Sequence, residues 1–157
     1  MQKELVNKLN TYISNIGVSY IKLHNLHWNL KGSQFKAVHE YLETLYDSFA
    51  DILDEVAELL RMNEYIPVAS MKEFLSLAII KELDGTIQDT KTALEIVLSD
   101  MKLLKKEAEG IRILALNDDS FCTSNMMEEN ITAYNKNIWF INSMQRKKKK
   151  GYEIPSE

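Results

Sequence analysis

All three histidines of this 157-residue chain, His24, His27 and His39, fall inside one sixteen-residue window. The window also holds Trp28-Asn29, and it is followed by carboxylates at regular spacing. His39 and Glu43 are spaced i,i+4, and so are Asp54 and Glu58. On an α-helix these four positions fall within an arc of roughly 100°. Imidazole nitrogen beside carboxylate oxygen is a natural ligand set for iron, manganese or zinc. A solvated charged face would account for any one of the carboxylates. It accounts poorly for the histidines, and for Ala50 and Ala57, which share the arc and allow a second helix to approach closely.

Distance limits what one chain can do with these groups. The centres of the two pairs are separated by about 22 Å along a straight helix, whereas metal–ligand bonds are about 2 Å long. One chain therefore cannot close a single site with both pairs. A twofold-related copy of the helix, running antiparallel, would set His39 and Glu43 of one chain against Asp54 and Glu58 of the other, two identical sites per dimer. His27, just before the break at Gly32, can reach the His39 end. Diiron sites inside a single four-helix bundle use Glu-x-x-His. Here Ile21, His24 and Lys36 stand three before the histidines, so that motif is missing.

The elements that must carry these residues are long helices. Leu5, Leu9, Tyr12, Ile16, Tyr20, Leu23 and Leu30 recur at mostly three- and four-residue steps. Val38, Leu42, Leu45, Phe49, Ile52, Val56 and Leu60 form a second stripe, on the side away from the ligand arc. Ile87, Leu94, Val97, Met101, Leu104, Ala108 and Ile111 form a third, and Met127, Ile131, Tyr134, Ile138 and Ile141 a fourth. "KGSQ" at 31–34, Pro67 in the 63–70 connector and "LNDDS" at 116–120 separate them. Ser70 with Glu73 has the form of a capping box opening a short extra helix. The expected fold is all-α: an antiparallel four-helix bundle with a short helix in the long second-to-third connection.

The bulk numbers agree with one soluble domain over 1–157. Apolar residues make up 45% and charged residues 27%, and five glycines and two prolines are few for a loop-rich β protein. The single cysteine, Cys122, excludes an internal disulfide framework and suits a reducing compartment; its expected place is a small buried one. The amphipathic, acid-bearing start does not read as a signal peptide, and no apolar run is long enough to span a membrane. The expected location is the cytoplasm. A net charge of −4 argues against a surface built wholly for nucleic acid. The exception is the tail at about 146–157, where Arg146, Lys147, Lys148, Lys149 and Lys150 are contiguous. These cations favour a helix C-terminus, and repeated on an oligomer they are also candidate phosphate contacts.

"HWN" with Gly32, Phe35 and His39, then Asp54 and Ala57-Glu58, resembles the Dps family of miniferritins, which are ferritin-like proteins. "PVASMKEFL" at 67–75 resembles that family's short connecting helix, and "NIWFINSM" at 137–144 its fourth-helix region. The resemblance covers nearly the whole chain. It implies a hollow homododecamer, built from twofold dimers, that oxidises ferrous iron, preferably with hydrogen peroxide, and stores ferric mineral. It also implies that His27, His39, Glu43, Asp54 and Glu58 are intersubunit ferroxidase ligands, with Trp28 beside them taking up oxidising equivalents. DNA binding through the lysine-rich tail is the alternative function. Three positions depart from the family pattern. Glu43 stands where many members have Asp, Leu59 where many have Arg, and Asn125 where an acid often lines the iron-admitting pore. Asp118, Asp119, Glu128 and Glu129 are nearby candidates for that last role. His24 is read as a structural histidine.

Overall fold

The computed structural model describes residues 1–145, so the basic run Arg146, Lys147, Lys148, Lys149 and Lys150 lies outside the described residues. Four long helices carry the four apolar stripes: α1 (Lys3–Trp28), α2 (Phe35–Met62), α4 (Thr90–Asn117) and α5 (Phe121–Met144). The short helix α3 (Met71–Leu77) sits in the long connection between α2 and α4. All seven stripe residues of α2 are buried, from Val38 to Leu60, because steps of three and four keep them on one side of the helix. Of the α5 stripe, Met127, Tyr134 and Ile141 are buried, while Ile131 and Ile138 pack partly buried against the core.

α1 lies between α2 and α4, α4 packs on α5, and α3 rests on α1. The α3 start has the expected capping pair. The Ser70 hydroxyl accepts from the Glu73 N–H at 3.3 Å and donates to the Glu73 carboxylate at 2.7 Å; that carboxylate also accepts from the Ala69 N–H. A Cβ on Gly17 would stand 2.7 Å from the Phe74 ring, so glycine is what lets α3 settle onto α1.

Three expectations need correction. Leu30, expected to close the first helical stripe, lies past the end of α1 at Trp28. Ile87 is not part of the third helix. Asp89 caps α4 by accepting from the Thr92 N–H at 2.9 Å, which leaves Ile87 before the helix and 63% exposed. Cys122, expected in a buried place, is exposed in the first turn of α5. One element was not foreseen: β1 (Leu30–Lys31) pairs in parallel with β2 (Gln88–Asp89), Leu30 opposite Gln88 and Lys31 opposite Asp89. This pairing ties the corner after α1 to the start of α4. Gly32 at φ +106° and Gln34 at φ +63° complete the reversal into α2. No helix among the described residues is long and apolar enough to cross a membrane.

Candidate metal centre

The α1–α2 corner brings two of the candidate ligands into direct contact. His27 closes the last turn of α1, and His39 lies in the second turn of α2. The His27 Nδ1–H donates to the His39 carbonyl at 2.8 Å, and the His39 Nδ1–H donates to the His27 carbonyl at 2.9 Å. Their rings stack with centroids 3.6 Å apart and planes 18° from parallel. A carbonyl can only accept, so each Nδ1 carries its proton and each Nε2 keeps a lone pair in the neutral ring. Holding Nδ1 on a backbone carbonyl is how proteins orient a metal-binding imidazole. His27 is 7% exposed, so the corner fixes it by packing as well.

Glu43, Asp54 and Glu58 are all exposed on α2, and none forms an ion pair among the described residues. Glu43 is one turn after His39. Asp54 and Glu58 follow further along the same uninterrupted helix, so the separation of about 22 Å computed for a straight helix applies. The structure thus joins His27 and His39, sets Glu43 next to them, and leaves Asp54 and Glu58 apart. Among the described residues, no three His, Cys, Asp or Glu side chains of one chain gather closely enough to hold a metal ion. Asp54 instead borders an apolar groove of about 350 Å³, floored by Ala50, Leu53 and Ala57 of α2 and walled by Val68 and Phe74.

Aromatic rings surround the histidine pair. His24 donates from Nδ1 to the Tyr20 carbonyl at 2.8 Å and stacks on Tyr46 at 3.7 Å. Tyr46 also meets His27 edge-on at 5.3 Å, and Trp28 lies 5.3 Å from His24. Partial burial raises the Tyr46 phenol pKa, and the negative charges of Glu43 and Asp47 act the same way. Sequence reading passed over Tyr46. Its spacing, three after Glu43 and seven after His39, puts it on the histidine-bearing side and could have flagged it.

The three departures also have structural settings. Leu59 is 2% exposed, while Arg61 donates to the Tyr65 carbonyl at the end of α2. Asn125 donates to Glu129, Glu128 accepts from Arg112 at 2.7 Å, and Asp118 accepts from the Gln2 N–H at 2.9 Å.

A family model described as Ferritin, a ferritin-like domain, matches residues 6–150. The chain is 32% identical over 141 residues to DNA protection during starvation protein 2 of Bacillus anthracis, covering 90% of this chain and 96% of that one. It is 31% identical to a DNA protection during starvation protein of Helicobacter pylori, covering 79% and 86%. The crystal structure of antigen TpF1 from Treponema pallidum superposes with a TM-score of 0.89 at 30% identity, over 92% of each chain. That of Dps from Staphylococcus aureus gives 0.87 at 29%, over 91% and 95%. Identity at this level across nearly the full length, with the same all-α bundle, makes this chain a member of the Dps family of ferritin-like proteins.

Proposed function

We propose that the protein is a ferroxidase and iron store that protects against oxidative damage. Fe(II) is its substrate, taken up at sites shared between two copies of the chain. His27, His39 and Glu43 come from one copy, and Asp54 and Glu58 from its twofold partner. The observation that carries this reading is the reciprocal His27–His39 lock, which leaves two Nε2 lone pairs beside an acidic helix face. The Asp54 groove, with Ala50 and Ala57 in its floor, suits close approach of a second α2. A related Dps structure from Vibrio cholerae is described as belonging to a broad superfamily of ferritin-like diiron-carboxylate proteins, in keeping with iron as the metal.

The chemistry follows from the donor set. Carboxylates stabilise Fe(III) over Fe(II), so they favour oxidation of the bound ion. Two Fe(II) ions and one hydrogen peroxide, with two protons, give two Fe(III) ions and two waters. That two-electron reduction releases no hydroxyl radical. We infer peroxide to be preferred over dioxygen, a closed shell of twelve chains as the store, and the cytoplasm as the location. A second reading, DNA binding through Arg146 and Lys147–Lys150, rests on five consecutive cations repeated on every copy. Counterion release would make such binding weaken steeply with salt.

The test is ferrous oxidation by the assembled protein, followed with peroxide and with dioxygen. The peroxide reaction should be faster, and Asp54→Ala should slow it greatly. Equal rates in wild type and Asp54→Ala would remove the ferroxidase assignment.

A further inference from the structure

At the α1–α2 corner His27 and His39 are each fixed by a carbonyl, whereas Glu43 is a long side chain on an exposed helix face. Left free, such a side chain loses rotamer freedom whenever it takes a ligand. A series of contacts that begins on α1 ends on this carboxylate. His24 donates from Nδ1 to the Tyr20 carbonyl at 2.8 Å, which sets the plane of its ring. Tyr46 stacks on that ring, with centroids 3.7 Å apart and planes 18° from parallel. It also meets His27 edge-on at 5.3 Å, with planes 87° apart. Two rings at such different angles leave the half-buried Tyr46 ring little freedom. Its hydroxyl hydrogen-bonds the side chain of Glu43, three residues back on the same helix. Partial burial, the negative charges of Glu43 and Asp47, and the bond to Glu43 all raise the phenol's pKa. The hydroxyl therefore keeps its proton and donates it, while the carboxylate accepts. Stacking alone would need only a benzene ring.

We propose that Tyr46 is a positioning residue that holds the Glu43 carboxylate toward the His27–His39 corner, with His24 as the platform for its ring. The proposal rests on the reading of Glu43 as a metal ligand. One carboxylate oxygen accepts the phenolic hydrogen, and the other is left for a metal ion beside the two Nε2 lone pairs. Carboxylates that ligate metals are commonly held by such an outer hydrogen bond, which sets their direction before the metal arrives. Tyr46 touches no metal itself and acts through Glu43. Asp47 is the other acid near the phenol, but it directly follows Tyr46 and adjacent helical residues do not face each other. Its charge reaches the phenol while its carboxylate points elsewhere on the helix. His24 gains a reason to be there as well, since its ring face carries Tyr46.

The test is a binding titration with cobalt(II), whose visible bands report its ligand geometry, on the assembled, metal-free protein. Tyr46→Phe keeps both ring contacts and loses only the hydroxyl. Its Co(II) affinity should fall by roughly three- to ten-fold, the worth of one hydrogen bond, and its visible bands should shift. Its thermal unfolding should barely move. His24→Ala should weaken binding too, and His24→Phe, which retains a ring to stack on, should restore most of it. If His24→Ala does not assemble, the Tyr46 variants decide alone. Glu43→Ala should bind more weakly by itself, and adding Tyr46→Phe to it should change nothing further. Wild-type affinity and bands in Tyr46→Phe, with Glu43→Ala still weakened, would overturn the positioning role and leave Glu43 a ligand. An equal loss from Tyr46→Phe with and without Glu43 would also overturn it, assigning Tyr46 to the packing of His27. Unchanged binding in Glu43→Ala would overturn the reading of Glu43 as a ligand, and the proposal with it.

Discussion

His39 makes two separable contributions to the α1–α2 corner. Its Nδ1–H donates to the His27 carbonyl, which is a folding interaction, and its Nε2 lone pair is left for a ligand. The reverse bond uses the His39 carbonyl, which alanine retains. His39→Ala should therefore cost only about 1 kcal/mol of stability, one neutral hydrogen bond, while anaerobic Fe(II) binding weakens by roughly ten-fold or more. Lys36→Ala, which breaks an exposed pair with Glu40 at 3.6 Å, should change neither measurable. Calorimetric titration with Fe(II) alongside urea unfolding separates the two effects. A variant that unfolds in proportion to its loss of binding would show His39 to be structural only.

At the scale of elements, the helices are held by more than their stripes. Lys22 of α1 and Asp100 of α4 pair at 2.6 Å, their side chains 8% and 21% exposed. Burial raises the Asp100 pKa, and the Lys22 hydrogen bond and charge only partly oppose it. Lys22→Met removes the opposing causes and leaves a largely buried carboxylate unpaired, at a cost of about 3 kcal/mol near neutral pH. The sign of its pH dependence follows. With the folded pKa raised, the folded state binds the proton more tightly than the unfolded chain. Stability then falls as pH rises from the ordinary carboxyl range through the folded value. The deficit of Lys22→Met should shrink on acidification, measured by urea unfolding at fixed protein concentration. A deficit independent of pH would assign the loss to packing instead.

The same scale shows what could be read from sequence. The α2 stripe was legible because the repeat is unbroken and every member packs inward. Ser70 with Glu73 was legible because a capping box is a local contract between residues three apart. Ile87 misled because it keeps the helical spacing while Asp89, two residues later, starts the helix. The β1–β2 pair could not be foreseen, since two-residue strands carry no alternation and their partners lie 58 residues apart. Of the candidate centre, residue types and spacing pointed to His27 and His39, but not to the carbonyl bonds that fix their protons. Each of those bonds joins a side chain of one helix to the backbone of the other, a tertiary fact.

For the whole molecule, one chain leaves a band of apolar surface uncovered. Met62, Ile66, Met71 and Leu75 are exposed apolar side chains at the α2 end and along α3, on the same connection that walls the Asp54 groove. Such exposure is what a surface covered by another copy would show. If each centre is shared, lesions in two different chains can complement. His39→Ala and Asp54→Ala would each be nearly inactive alone, because every site in a uniform assembly carries the lesion. In a dimer of one His39→Ala chain and one Asp54→Ala chain, one site collects both lesions and the other collects neither. With random pairing half the dimers are mixed, so roughly a quarter of all sites should be intact. Co-expressed chains carrying distinct tags, purified through both, should recover ferrous-oxidation activity that neither parent shows. A centre built within one chain gains nothing from mixing, since every chain remains damaged. Activity at the parental level in a verified mixed assembly would overturn the shared centre.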